Sequence, residues 1–218
     1  GKTEVYIRCL ESVLASGRGG LVLVPEIGLT PAASGAVEQR FGRAVAVLHS
    51  AQSDGDRWRE WLRARAGEAR IIVGPRSALF APLDNLGLVV VDEEQDSAYK
   101  QQEAPRYHAR EVALQRARSQ SIPLVLGSAT PALESWYQAE TGQFQRLQLP
   151  RRALDRPLPD VATIDLRIDD DSQGRPGAIS RKLHQEICAA VEHGGQVILL
   201  LNRRGFSTRI QCPACGNV

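Results

Sequence analysis

Apolar residues repeat along this chain with two different periods, and the alternation between them predicts its architecture. In the first segment, TEVYIRCLESVLASG, Val5, Cys9 and Val13 form one row and Tyr6, Leu10 and Leu14 another. That is the one-sided stripe of a helix, ending at Gly17. LVLVPEIG (21–28) reads as a strand meeting a turn, followed by a helix from Pro31 to Phe41 and the short strand AVAVLHS (44–50). SDGDRWREWLRARAGEA has Asp54 or Asp56 available as a cap and Trp58, Trp61 and Leu62 on one face, which predicts another helix. The strands RIIVG (70–74) and LGLVVVD (86–92) come next, then a loop, a helix around 109–120 and the strand PLVLG (123–127). Nearly all-apolar strands alternating with helices predict a parallel sheet covered on both faces.

The pattern breaks at LPRRALDRPLPD (149–160), whose Pro and Arg content reads as a linker over 151–160. A new set follows: strand VATIDLR, an acidic loop, helix SRKLHQEICAAVEHG and strand QVILLLNRRG. Residues 1–150 therefore read as one α/β lobe and 161–211 as the start of a second. The CPACG segment opens something new over 212–218.

Composition narrows the class. A chain of 218 residues, 43% hydrophobic, can bury one good core and begin another. No apolar run approaches the roughly 20 residues that span a bilayer. The start does not resemble a signal peptide, and the chain contains no Met, so an internal piece of a longer protein is expected. A net charge of +2 gives no argument for nucleic-acid binding. Lys occurs only at Lys2, Lys100 and Lys182, the other basic residues being Arg. Bidentate pairing with phosphate and a coding preference for Arg account for that equally well. Cys9 and Cys188 fall singly in helical patterns and are expected to fill core space. Lone cysteines without an export signal fit a reducing cytoplasm.

Three short motifs carry chemistry. Gly1-Lys2-Thr3 leads straight into a helix, as the last residues of a phosphate-binding loop do. There the Lys reaches the β and γ oxygens and the hydroxyl ligates Mg²⁺. Asp92 lies where an apolar strand ends, placed to hold the Mg²⁺ shell, and Glu93 beside it can take a proton from an attacking water. The turn Gly127-Ser128-Ala129-Thr130-Pro131 ends the next strand, where Ser128, Ala129 and Thr130 can couple the carboxylate loop to the γ-phosphate. An acidic turn or a small-residue turn alone would be structural; the combination points to a nucleoside triphosphatase.

With these motifs in place the chain resembles the superfamily 2 helicases of DEAH type, and most closely the bacterial primosomal replication-restart helicases. GKTEVY, LVLVPEIGLTP, GPRSALFAPL, DEEQDSAYKQQEAPRYHARE, GSATPALES and NRRGF followed by CPACG carry the likeness, which covers essentially the whole chain. The resemblance implies a RecA-like P-loop lobe, the start of a second RecA-like lobe and a zinc-binding insertion. It further implies ATP-driven 3′→5′ movement on single-stranded and forked DNA in a bacterial, nucleoid-associated cytoplasm. Replicative-helicase loading with primosome proteins and single-stranded DNA-binding protein would follow. The family usually has His where this chain has Gln95, an amide that can still serve the nucleotide site through hydrogen bonds. Another superfamily 2 translocase, such as a branch-migration motor, and a non-catalytic DNA-binding scaffold remain as alternative readings. Without the upstream glycine loop and later motifs, this piece alone is not expected to unwind DNA.

Residues expected on DNA come from strand-end loops: Pro25, Ile27, Leu29 and Thr30, then His49, Ser50, Arg76 and Ser77, with Glu26 bracing its loop. Tyr99, Lys100, Arg106, Tyr107, His108 and Arg110 interleave rings and bases directly after the acidic motif, a pattern suited to stacking on bases and relaying DNA binding to the ATP site. Cys212 and Cys215 have zinc-knuckle spacing and supply two of four ligands, the resemblance placing further cysteine pairs beyond them. A redox pair shows the same spacing, but no thioredoxin-like context surrounds this one.

Overall fold

The computed structural model describes residues 1–25, 31–150, 159–165 and 179–200. The chain divides into two compact units, Gly1–Arg156 and Pro157–Val218. In the first, α1 (Lys2–Ala15) precedes β1 (Gly19–Leu23), and α2 (Pro31–Phe41) leads to β2 (Val45–Val47). Then come α3 (Asp54–Arg65), β3 (Ile71–Gly74), β4 (Leu86–Asp92), β5 (Lys100–Gln101), β6 (Tyr107–His108), α4 (Ala109–Ser119), β7 (Leu124–Gly127) and α5 (Leu133–Glu140). Five strands pair in parallel in the order β2-β3-β1-β4-β7, so β4 sits one place from the edge beside β7. The expected parallel sheet with helices on both faces is what forms.

Strand periodicity builds two cores at once. Leu21, Leu23, Ile72, Val89 and Val91 pack on one face against Ala64 of α3 and Ala109, Ala113 and Ala117 of α4. Their neighbours Val22, Ile71, Val73, Leu88 and Val90 pack on the other against Tyr6 and Leu10 of α1 and Val37 of α2. Since successive residues feed opposite cores, each strand reads as a continuous apolar run. Alanines four apart on α4 let that helix lie close to the sheet. On the opposite face, a Cβ at Gly20 would stand 2.3 Å from Leu10 Cδ2, so glycine there lets α1 rest on β1. The first strand starts two residues earlier than the apolar run suggests, because Gly19 pairs with Leu86 and Gly20 with Ile71 and Leu88.

Other departures have equally local causes. Ser53, not Asp54 or Asp56, caps α3, its hydroxyl accepting from the Asp56 N–H at 3.1 Å. The two aspartates occupy the first turn, where they pair with Arg57 and Arg59 and suit the helix dipole. Trp58 stacks on Trp61 at 5.3 Å, yet stays 56% exposed, so that face of α3 is not a core face. The helix α5 and the small β5–β6 hairpin arise within segments whose pattern showed no element. Cys9 is half-buried against the α1 core, but Cys188 is exposed and fills no core.

In the second unit α6 (Arg181–Glu192) forms as expected, with Ser180 capping it through the Leu183 N–H. The strands expected at 161–167 and 196–205 do not form over 161–165 and 196–200. No paired strand flanks them among the described residues, and a strand exists only as half of a pair.

Candidate active site

The tip of β4 gathers residues from three distant parts of the chain. Asp92 ends the strand opposite Gly127 of β7, and α1 begins beside it. Lys2, in the first turn of α1, places Nζ 2.5 Å from Glu93 Oε1 and 3.7 Å from Asp92 Oδ1. Gly1 caps α1 without a side-chain hydrogen bond, which leaves first-turn N–H groups open to an anion. Thr3 is exposed in the same turn.

Glu93 stands at φ 47°, a left-handed conformation that costs a side-chain-bearing residue about 1–2 kcal/mol. The turn is closed behind it by Asp96 N–H to Glu93 carbonyl and Glu94 N–H to Gly127 carbonyl. Gln95 Nε2 donates to Glu93 Oε2 at 2.9 Å, and Ser128 Oγ donates to Gln95 Oε1 at 2.6 Å. The Ser128 oxygen in turn accepts from the Thr130 N–H at 2.9 Å. The Gln95 amide, followed by the Lys2 ammonium, lowers the Glu93 carboxyl below its ordinary pKa, so it is held ionised. Lys2, Asp92, Glu93, Gln95, Ser128 and Thr130 thus form one connected constellation, with Ala129 exposed beside it.

Sequence reasoning passed over two residues that complete it. Tyr6 donates its hydroxyl to Asp92 Oδ1 at 2.8 Å. Its position four residues after Lys2, hence on the same helix face, was the available signal. Glu94 is 2% exposed and fully occupied. Its Oε1 accepts from the Ala132 N–H at 2.8 Å, and Oε2 accepts from Arg110 Nη1 and Ser135 Oγ, each at 2.9 Å. The last acid of DEEQ therefore clamps the starts of α4 and α5 to the β4 tip.

The aromatic and basic run after the acidic motif divides in two. Tyr99 is fully buried and donates its hydroxyl to the Asp92 carbonyl at 2.6 Å, so its ring is not a stacking platform. Burial and the nearby Asp92 charge raise its phenol far above the ordinary value. Arg110 is 8% exposed and committed to Glu94, so it offers no guanidinium to DNA. Burial opposes its charge, but the bonds to Glu94 and Glu111 outweigh that and raise its pKa. The His108 ring caps α4 by accepting the Arg110 N–H at 3.3 Å, and burial with the Arg110 charge lowers its pKa, keeping it neutral for that task. Tyr107 is half-buried, edge-on to Phe80 at 5.4 Å. Lys100 and Arg106 are exposed.

Among the other expected DNA contacts, Ser50 and Ser77 are exposed, His49 is half-buried and Pro25 is buried. Arg76 donates Nη1 to the Ala98 carbonyl at 2.8 Å, bracing the acidic-motif loop. Glu26, Ile27, Leu29, Thr30, Cys212 and Cys215 lie outside the described residues.

Among the described residues no three His, Cys, Asp or Glu side chains converge as a metal cage. One strand-end carboxylate and one helix-start hydroxyl are hard oxygen donors, the set that suits Mg²⁺ when phosphate oxygens and water complete its shell.

Comparison with known proteins agrees with this arrangement. The family profile described as DEAD/DEAH box helicase matches residues 1–138. Replication restart protein PriA of Bacillus subtilis (strain 168) is 45% identical over all of the chain. The protein of that name from Synechocystis sp. (strain ATCC 27184 / PCC 6803 / Kazusa) is 47% identical over all of it. That from Haemophilus influenzae (strain ATCC 51907 / DSM 11121 / KW20 / Rd) is 44% identical over 99% of it. The chain spans 27% of the first two and 29% of the third.

Proposed function

Because the chain belongs to the DEAD/DEAH box helicase family, we propose that it carries the ATP-hydrolysing lobe of a replication-restart DNA helicase. Support comes chiefly from one observation: Lys2 and the Asp92–Glu93 pair, 91 residues apart for Lys2 and Glu93, meet at the tip of a buried strand. Whole-chain similarity to replication restart proteins supports the restart role. The activity belongs to the full-length protein, of which this chain spans about a quarter by comparison with its relatives.

In this reading Lys2 exchanges its carboxylate partner for the β and γ phosphate oxygens, which releases Glu93. Already ionised, Glu93 takes a proton from the attacking water, assistance typically worth about 10²–10⁴ in rate. Thr3 and Asp92 would hold Mg²⁺, which when bound would neutralise phosphate charge. Gln95 and Ser128 carry the state of Glu93 to the turn that opens α5, coupling hydrolysis to movement. Lys100, Arg106, Ser50 and Ser77 supply exposed contacts to DNA backbone. Motion from 3′ to 5′, fork remodelling and helicase loading with primosome proteins complete the proposal. The Cys212–Cys215 thiolates, soft donors at knuckle spacing, suit zinc as two of its four ligands.

Glu93→Gln in the full-length protein should keep ATP binding and lower DNA-stimulated phosphate release by about 10²–10⁴. Turnover at the parental rate would refute the assignment.

A further inference from the structure

Tyr6 lies across the rung where Asp92 faces Gly127. Its phenol oxygen is 2.8 Å from Asp92 Oδ1, and the residue is 5% exposed. A Cβ on Gly127 would fall 1.6 Å from that oxygen, so only glycine at the end of β7 leaves room for the ring. Around the same aspartate, Tyr99 holds the backbone carbonyl at 2.6 Å and Lys2 stands 3.7 Å from Oδ1. No described residue bonds Asp92 Oδ2.

We infer that Tyr6 is a positioning residue for the divalent cation that accompanies the nucleotide: its hydroxyl holds Asp92 Oδ1 and leaves Oδ2 for the cation. The inference rests on the proposed metal role of Asp92. Rotation about the terminal bond of an aspartate is soft, so a carboxylate without an anchored oxygen samples many orientations. A single donor removes that freedom, as partners behind metal ligands generally do. The anchor also competes with Lys2 for Oδ1, which keeps the ammonium on Glu93 and available to phosphate. Glycine at position 127 then has a specific reason: it admits the tyrosine that sets the metal ligand.

Tyr6→Phe deletes one oxygen and keeps the buried ring. In the full-length protein, a fluorescent non-hydrolysable ATP analogue can be bound and titrated with Mg²⁺. Half-saturation should require about tenfold more Mg²⁺ than the parent needs, the low end of the usual loss when such a partner is removed. Analogue affinity without Mg²⁺ should be unchanged, which a general loss of structure would not allow. Asp92→Asn serves as the reference and should abolish the Mg²⁺ response. If Asp92→Asn abolishes it while Tyr6→Phe titrates like the parent, the positioning role is overturned and the metal role of Asp92 stands. Should Asp92→Asn itself titrate like the parent, both fall. A lower melting temperature for Tyr6→Phe with a parental titration also overturns the inference, because the hydroxyl then serves stability alone.

Discussion

The stretch from Asp92 to Arg110 uses one set of residue types, acids, amides, rings and bases, yet folds into two regions of opposite character. At the strand tip, Asp92, Glu93 and Gln95 are half-exposed, each oriented by donors from α1 or the Ser128 turn. Further along, Tyr99 and Arg110 turn inward and spend their polar atoms on the Asp92 carbonyl and on Glu94. A polar side chain at the tip remains available for chemistry because the sheet edge leaves it open. Similar side chains a few positions on fasten that edge in place. Residue type alone does not separate the two uses; burial does.

The largest effect should come from breaking the fastening. Arg110→Ala would strand the Glu94 carboxylate in the interior with only the Ser135 hydroxyl and the Ala132 N–H, and an uncompensated buried charge costs about 3–5 kcal/mol. Urea unfolding of the full-length protein should register that loss in the transition of this lobe. DNA affinity measured below the transition should change little. Parental stability with weakened DNA binding would return Arg110 to the DNA-contacting group and erase the distinction drawn above.

A smaller effect of the opposite kind is expected at Lys100, which is exposed on the same stretch and whose backbone, paired with His108, holds it in the β5–β6 hairpin. Lys100→Ala should shift stability by no more than about 0.5 kcal/mol. If the side chain meets phosphate, the slope of log affinity against log salt should fall by about one, read by anisotropy of labelled single-stranded DNA. An unchanged slope would remove Lys100 from the interface.

Much of the lobe was legible because parallel strands buried on both faces must be apolar throughout, as Leu21–Val24 and Leu88–Val91 are. The acidic pair was placed for a related reason: charged residues immediately after such a run stand at the sheet's carboxyl edge, where Asp92 and Glu93 are found. What escaped was set by contacts distant in sequence. Glu94 looks like its two neighbours, and only the starts of α4 and α5, brought up by the tertiary fold, decide that it is buried. Tyr6 looked like one member of a core stripe, and its hydroxyl acquires a task only because β7 offers a glycine where it passes. Helix α5 follows a Thr-Pro turn and exposes Leu133 and Tyr137, so no clean apolar stripe announced it.

The finest test lies inside the strand-tip region, at the Gln95 amide that joins Glu93 to Ser128. Gln95 is the foremost cause of the lowered Glu93 pKa, ahead of Lys2. A carboxyl with a depressed pKa keeps its charge as pH falls until that lowered value is crossed. It therefore favours the folded state above its ordinary pKa and loses that contribution only on further acidification. Gln95→Leu removes the amide, so the Glu93 pKa should rise toward the ordinary carboxylate value. The acid limb of DNA-stimulated ATP hydrolysis should then move to higher pH, with the rate near neutrality less affected. The same substitution cuts the link to Ser128, so DNA stimulation should weaken even where Glu93 remains ionised. A limb that stays in place while stimulation falls would assign Gln95 to coupling alone and leave Lys2 as the group that holds Glu93 charged.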